Sequence, residues 1–264
     1  MAGERQAVFQ LFKVPLACLH AFLLSFAGFI VSPQDAWAAE QPLPGIIGVD
    51  DRVPIPADDK RYLAVGHINV TGFRKKRLCT GTLISADRVL TAAHCLVNAR
   101  TGKKVSLSHV HFVAGVSGSG HKAHAKAKCI RLANDTFRAV KKFSPALRGD
   151  MAVIELDRKL SIEPIPQLSE VRVGSKNRLA HPSYPRDSRY KLLVHSSCRI
   201  LGKRYGLWQT SCDTNFASSG GPVLLRVGER DYVAAVMVGF AERRFTIAVP
   251  VSAWPDLFAN DDCR

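Results

Sequence analysis

The sequence predicts an all-β fold in two halves, and three observations carry that reading: many short apolar runs of β-branched character, turn-rich segments between them, and scarce helical periodicity. From Ala39 to about Lys60, Gln41-Pro-Leu-Pro44 and Val53-Pro-Ile-Pro56 interrupt any regular element, so this stretch reads as an extended arm. The strand candidates of the first half follow: Leu63–Val70, Thr80–Ser85, Val89–Ala92, Val110–Val116 and Met151–Leu156. A turn-rich connector from Pro164 to Asn177 separates them from Lys191–His195, Arg199–Leu201, Val223–Arg226, Tyr232–Phe240 and Phe245–Val251. The two halves span about residues 60–165 and 175–251. The best helical candidate is the terminal Ser252–Phe258, kept short by Pro255.

Arg5 and Lys13 precede or enter an apolar run from Pro15 to Val31, and Ala36-Trp-Ala38 has the small-x-small form of a processing site. Residues 1–38 are therefore expected to be an export signal, leaving 39–264 secreted or periplasmic and off the membrane; the competing reading, an uncleaved membrane anchor, is disfavoured because the run is slightly short for a span and His20 interrupts it. Of seven cysteines, Cys18 would leave with the signal. The remaining six suit disulfides in an oxidising compartment, and no C-x-x-C redox or metal motif occurs. Proximity to the candidate site favours Cys79–Cys95 and Cys198–Cys212, with Cys129–Cys263 by elimination.

The formal net charge is +15. Such a field could engage anionic surfaces, or could belong simply to a well-solvated basic chain. The basic residues are spread out without aromatic interleaving, which argues against a specific nucleic-acid partner. Arg74-Lys-Lys-Arg77 reads as a solvated hairpin turn. His109 and His111 would share a strand face, with His121 and His124 following. Without a cysteine or carboxylate at suitable spacing, no resident metal is expected.

The chemistry concentrates in Cys212-Asp-Thr-Asn-Phe-Ala-Ser-Ser-Gly-Gly-Pro222, where Gly220 and Gly221 free the backbone around Ser219. Serine needs a base to take its proton and a carboxylate to orient that base. His94, in Leu90-Thr-Ala-Ala-His-Cys95, and Asp150, opening Met151-Ala-Val-Ile154, have the required contexts. The order His…Asp…Ser excludes an α/β-hydrolase, whose histidine follows its serine, because the last histidine here is His195.

The blocks Cys79-Thr-Gly-Thr-Leu-Ile-Ser85, Leu90–Cys95, Asp150–Leu156 and Ser218-Ser-Gly-Gly-Pro222 resemble those of the chymotrypsin/trypsin-like serine peptidases, especially the bacterial secreted branch, over about residues 45–255. The resemblance implies two antiparallel six-stranded β-barrels with the site in the cleft between them. It also implies a monomeric serine endopeptidase that acts on protein or peptide substrates through an acyl-enzyme, with no metal or organic cofactor. His94 would be the base, Asp150 its orienting partner and Ser219 the nucleophile, with the Ala217 and Ser219 N–H groups as the oxyanion hole. Asp213, six residues before Ser219, stands where an acid would select Arg or Lys, unless it only bonds a turn. Met237 takes the place of a pocket histidine found in glutamate-specific relatives, which disfavours acidic substrates.

Two departures bear on this expectation. Ser218 replaces the aspartate that pairs with a newly cut N-terminus, so activation by such a terminus at Gly45-Ile-Ile-Gly48 is not expected. Ala217 replaces a glycine of the oxyanion hole, which leaves open a weak or inactive homologue that binds anionic surfaces or partners.

Overall fold

A computed structural model describes residues 43–71, 77–140, 142–168 and 172–259. The expected export signal, Arg74 to Lys76 of the basic turn, and Cys263 lie outside the described residues.

The first half is a closed six-stranded antiparallel barrel. Its strands are β2 (Val65–Val70), β3 (Arg77–Ser85), β4 (Arg88–Thr91), β5 (Val110–Ala114), β6 (Ala123–Leu132) and β7 (Ala152–Leu156), joined in the order β2-β3-β4-β7-β6-β5. Every strand sends a fully buried side chain to the core: Ile68, Leu83, Val89, Phe112, Ala125 and Ile154. The first half of strand β6 does not read as an apolar run because its buried positions are alanines, with the larger Ile130 and Leu132 only at its end. Ala125 and Ala127 are buried while Lys126 and Lys128 face water, a period-two pattern written in small residues of modest β-propensity.

The second half is an eight-stranded sheet ordered β1-β9-β8-β12-β13-β14-β11-β10. It contains β1 (Val53–Ile55), β8 (Leu179–Ser183), β9 (Leu192–Cys198), β10 (Ile200–Arg204), β11 (Leu207–Thr210), β12 (Pro222–Val227), β13 (Arg230–Ala241) and β14 (Phe245–Pro250). Strands β9 and β10 lie near opposite ends of that order, yet only Arg199 separates them in the chain, so the sheet must curl to bring its ends together. The expected six-stranded second barrel is thus this curled eight-stranded sheet. The arm contributes one of its strands: β1 pairs with β9 at an edge, where Pro54 forfeits no interior ladder bond.

The Cys79–Cys95 and Cys198–Cys212 disulfides are present. Cys129 is disulfide-bonded. Near the C-terminus the helical candidate resolves into a 3-10 turn, Val251–Ala253, and a single helical turn, Asp256–Ala259.

Phe112 is 1% exposed at the centre of the barrel. Phe112→Ala is expected to cost about 3–5 kcal/mol, measured by urea unfolding with an unchanged m-value.

Candidate active site

Strands β4 and β7 are neighbours, with Thr91 opposite Ala152, so the residues just past β4 and just before β7 emerge at the same end of the barrel. His94 occupies a 3-10 turn, Ala93–Cys95, and Asp150 follows another, Pro145–Gly149. The Asp150 carboxylate uses both oxygens on one residue: Oδ1 accepts the His94 backbone N–H at 2.8 Å, and Oδ2 lies 2.7 Å from His94 Nδ1. Asp150 is 1% exposed, whereas a quarter of the His94 side chain reaches solvent. Burial pulls the His94 pKa down, but the charge and hydrogen bond of Asp150 outweigh it and hold the imidazole above its ordinary value. With Nδ1 committed to Asp150, Nε2 is left to exchange a proton.

The basic turn supplies a positioning residue that the sequence reading assigned to solvent. Arg77 Nη1 donates to the carbonyls of His94, Cys95 and Val97 at 2.9, 3.1 and 2.6 Å. These carbonyls belong to the turn that carries His94, so Arg77 fixes that turn from behind. A charged run at the start of a strand carries no signal of this inward reach. The side chain snorkels, and burial lowers its pKa from the usual guanidinium value.

Ser219 lies in the loop between β11 and β12. Its carbonyl accepts the Thr80 N–H at 2.9 Å, and the Thr80 hydroxyl donates to the Ala217 carbonyl at 3.0 Å, tying the nucleophile loop to β3. Cys95 Sγ also lies 3.8 Å from the Ser219 carbonyl, a contact rather than a hydrogen bond because the disulfide sulfur carries no proton. Gly220 has φ +85°, and a Cβ there would stand 2.1 Å from Thr91 Oγ1 and 2.2 Å from the Thr80 carbonyl. Only glycine permits this close approach of loop to barrel. The structure forms no hydrogen bond between the Ser219 hydroxyl and the His94 ring among the described residues. Such bonds often tighten only when substrate is bound.

Ala217 has φ +73°, a left-handed conformation unusual for a residue with a Cβ. The Phe216 carbonyl accepts the Arg186 N–H at 2.6 Å. Because the peptide is planar and trans, this fixes the Ala217 N–H in the opposite direction. Neither the Ala217 nor the Ser219 N–H donates to another group among the described residues, so both are available to a ligand. Ser218 is fully buried and accepts a hydrogen bond from the Ser183 hydroxyl at 3.0 Å.

Asp213 does not line an open pocket. It is 0% exposed; Oδ1 accepts the Ile47 N–H at 2.8 Å, Oδ2 accepts the Asp51 N–H at 3.0 Å, and His195 Nδ1 lies 3.2 Å from Oδ2. The arm it holds is docked further by the Thr214 N–H on the Gly45 carbonyl at 3.0 Å. Met237 is likewise buried at 1% exposure, and its role is through the backbone: its carbonyl accepts the Gly220 N–H at 2.7 Å, and its N–H donates to Gly221 at 2.9 Å. The exposed Phe216 ring meets Phe240 edge-on at 5.5 Å beside the nucleophile loop. A group formed by Cys79, His94 and Cys95 is no metal site, because both cysteines are in a disulfide.

The trypsin family profile matches residues 56–254, and the chain belongs to that family. Its fold is that of solved serine proteases. A Glu endopeptidase is 18% identical with TM-score 0.63, covering 81% of this chain and 97% of the other. The thermostable serine protease AL20 from an extremophilic microorganism is 17% identical with TM-score 0.60, covering 77% and 98%. The protease Anisep from Arthrobacter nicotinovorans is 15% identical with TM-score 0.61, covering 79% and 100%.

Arg77→Met is expected to lower kcat at least tenfold with a smaller effect on KM, through loss of the three carbonyl bonds, with partial recovery in Arg77→Lys. Ala217→Gly removes a left-handed cost of about 1–2 kcal/mol, offset by about 0.5–1 kcal/mol of glycine entropy. Differential scanning calorimetry should therefore show a Tm unchanged or raised by a few degrees.

Proposed function

We propose that this protein is an exported serine endopeptidase that cleaves peptide bonds through an acyl-enzyme. The observation that carries the reading is the doubly engaged Asp150–His94 pair in a trypsin-family chain. In this reading His94 Nε2 takes the Ser219 hydroxyl proton as the oxygen attacks the scissile carbonyl. The resulting oxyanion is met by the Ala217 and Ser219 N–H groups, and the protonated His94 then delivers its proton to the leaving amine. Water, activated by the same imidazole, hydrolyses the acyl-enzyme. Asp150 remains ionised and holds the ring in the productive tautomer.

The proposal does not extend to selection of Arg or Lys by Asp213. Both oxygens of that carboxylate already accept backbone N–H groups of the arm, so it serves to dock residues 45–51. The left-handed Ala217 and the absent Ser219–His94 bond favour a second reading, a catalytically weak homologue that binds through its basic surface. One experiment separates the two. A fluorophosphonate probe should label the folded protein, and Ser219→Ala or His94→Ala should abolish labelling. Folded protein that takes no Ser219-dependent label would overturn the peptidase reading.

Catalysis needs a neutral His94. Because its pKa is raised, activity should be lost as pH falls through a midpoint above about 6.5, the ordinary histidine value. Asp150→Asn should lower that midpoint and cut kcat by about 10⁴. The kcat/KM profile against pH reads both effects.

A further inference from the structure

The register of the first barrel collects histidines that the sequence leaves scattered. His67 on β2 lies opposite Val113 on β5, and Val113 lies opposite His124 on β6, so all three share one outward face. His111 stands two residues from Val113 on that face. His109, expected to share it, instead ends a 3-10 turn before β5. His111 Nδ1 and His124 Nε2 are 2.8 Å apart, their rings stacked at 5.1 Å with 12° between planes. His121, exposed on the β5–β6 hairpin, has its ring 6.4 Å from that of His124. His67, His111, His121 and His124 line one cavity of about 540 Å³ with Arg189 and Tyr190 of the second half.

The fourth histidine makes the cavity more than a surface pair. His67 is 5% exposed, and its buried Nε2 has no hydrogen-bond partner among the described residues. A buried, unpartnered ring nitrogen costs free energy unless something occupies the space beside it. Burial pushes the His67 pKa down to about 4, so its ring is neutral at neutral pH. Two guanidiniums, Arg77 and Arg189, also line the cavity, and Arg158 is paired with Asp157 at 3.1 Å.

We propose that His111, His121 and His124 form a binding site for a borderline divalent transition metal, with Zn²⁺ as its reference ligand. Three imidazoles and a water complete a tetrahedral Zn²⁺ shell, and His67, whose Nε2 is unpartnered among the described residues, lines the same cavity. Two nitrogens each about 2.1 Å from a tetrahedral ion stand about 3.4 Å apart, so the pair must open by about 0.6 Å. His121 must turn inward, which its exposed position on a Gly118-Ser-Gly120 hairpin allows. Imidazole-only donors suit Zn²⁺, Cu²⁺ or Ni²⁺ over Ca²⁺ or Mg²⁺. The ion would pin the β5–β6 hairpin and would stabilise the fold by linkage.

The test titrates Zn²⁺ into metal-free full-length Ser219→Ala protein, which cannot digest itself, by isothermal calorimetry, with the melting temperature measured alongside. One saturable equivalent is expected. At a hundredfold excess over Kd, the Tm should rise by about 5 °C or more. Each of His111→Ala, His121→Ala and His124→Ala should weaken binding at least tenfold and remove most of the Tm rise, while His94→Ala should bind as before. Co²⁺ should give the visible absorption of a tetrahedral nitrogen site, again lost in His124→Ala. If an alanine variant melts markedly lower without metal, its glutamine counterpart is used instead. Absence of saturable binding overturns the proposal, as does binding that survives any of the three substitutions or that is lost in His94→Ala.

Discussion

Thr80 is the point at which the two halves become one site. Its N–H and hydroxyl reach across to the Ser219 and Ala217 carbonyls, and its own carbonyl accepts the Thr91 hydroxyl at 2.8 Å. Strand β3 thereby holds the nucleophile loop against β4, whose continuation carries His94. The approach is so close that Gly220 has no room for a Cβ, and Gly221, whose added Cβ would stand 2.9 Å from His181, has little more. The two glycines are thus a packing requirement of the joint as well as a feature of the nucleophile. The Cys79–Cys95 disulfide acts on the same joint, linking the strand that bears Thr80 to the turn that bears His94.

This joint explains why the base could be positioned with so little side-chain support from the second half. Asp150 spends both oxygens on His94, and Arg77 gathers the carbonyls of the turn around it, so the orientation of the imidazole is settled within the first barrel. The second half contributes the loop carrying Ser219, and the ladder bonds of Met237 to Gly220 and Gly221 support that loop from below. Placement of the Asp150–His94 pair and placement of the Ser219 loop are therefore separable, meeting at Thr80.

What was legible in the sequence was what local pattern encodes. The apolar runs became strands, and the motifs around His94, Asp150 and Ser219 fell at strand ends. Contributions that depend on register or on the reach of a long side chain were not legible. Arg77 looks like the end of a solvated basic run until β3 is seen to begin there, within reach of the His94 turn. Strand β6 was hidden by its alanines, and β1 by prolines that an edge tolerates. The histidine face required knowing that Val113 sits between His67 and His124. Asp213 was ambiguous for a related reason, since a carboxylate beside a cysteine can face a pocket or the chain, and only the course of the arm distinguishes the two.

That course bears on how the oxyanion loop is held. A serine at position 218 carries no charge with which to draw in a free ammonium, and here it accepts a hydrogen bond from Ser183 inside the second half. The buried acid of this region stands instead at Asp213, and the groups that reach it from the arm are the peptide N–H donors of Ile47 and Asp51. A carboxylate with two such donors and a histidine alongside is satisfied without a new terminus. The arm is further secured because β1 joins the edge of the second sheet and Arg52 bridges Asp50 and Asp187 at 2.7 Å each. Asp187 in turn accepts from the Asn215 side chain at 2.7 Å, two residues before Ala217. The loop that presents the Ala217 N–H is therefore braced by the arm through Asp187 and Asn215.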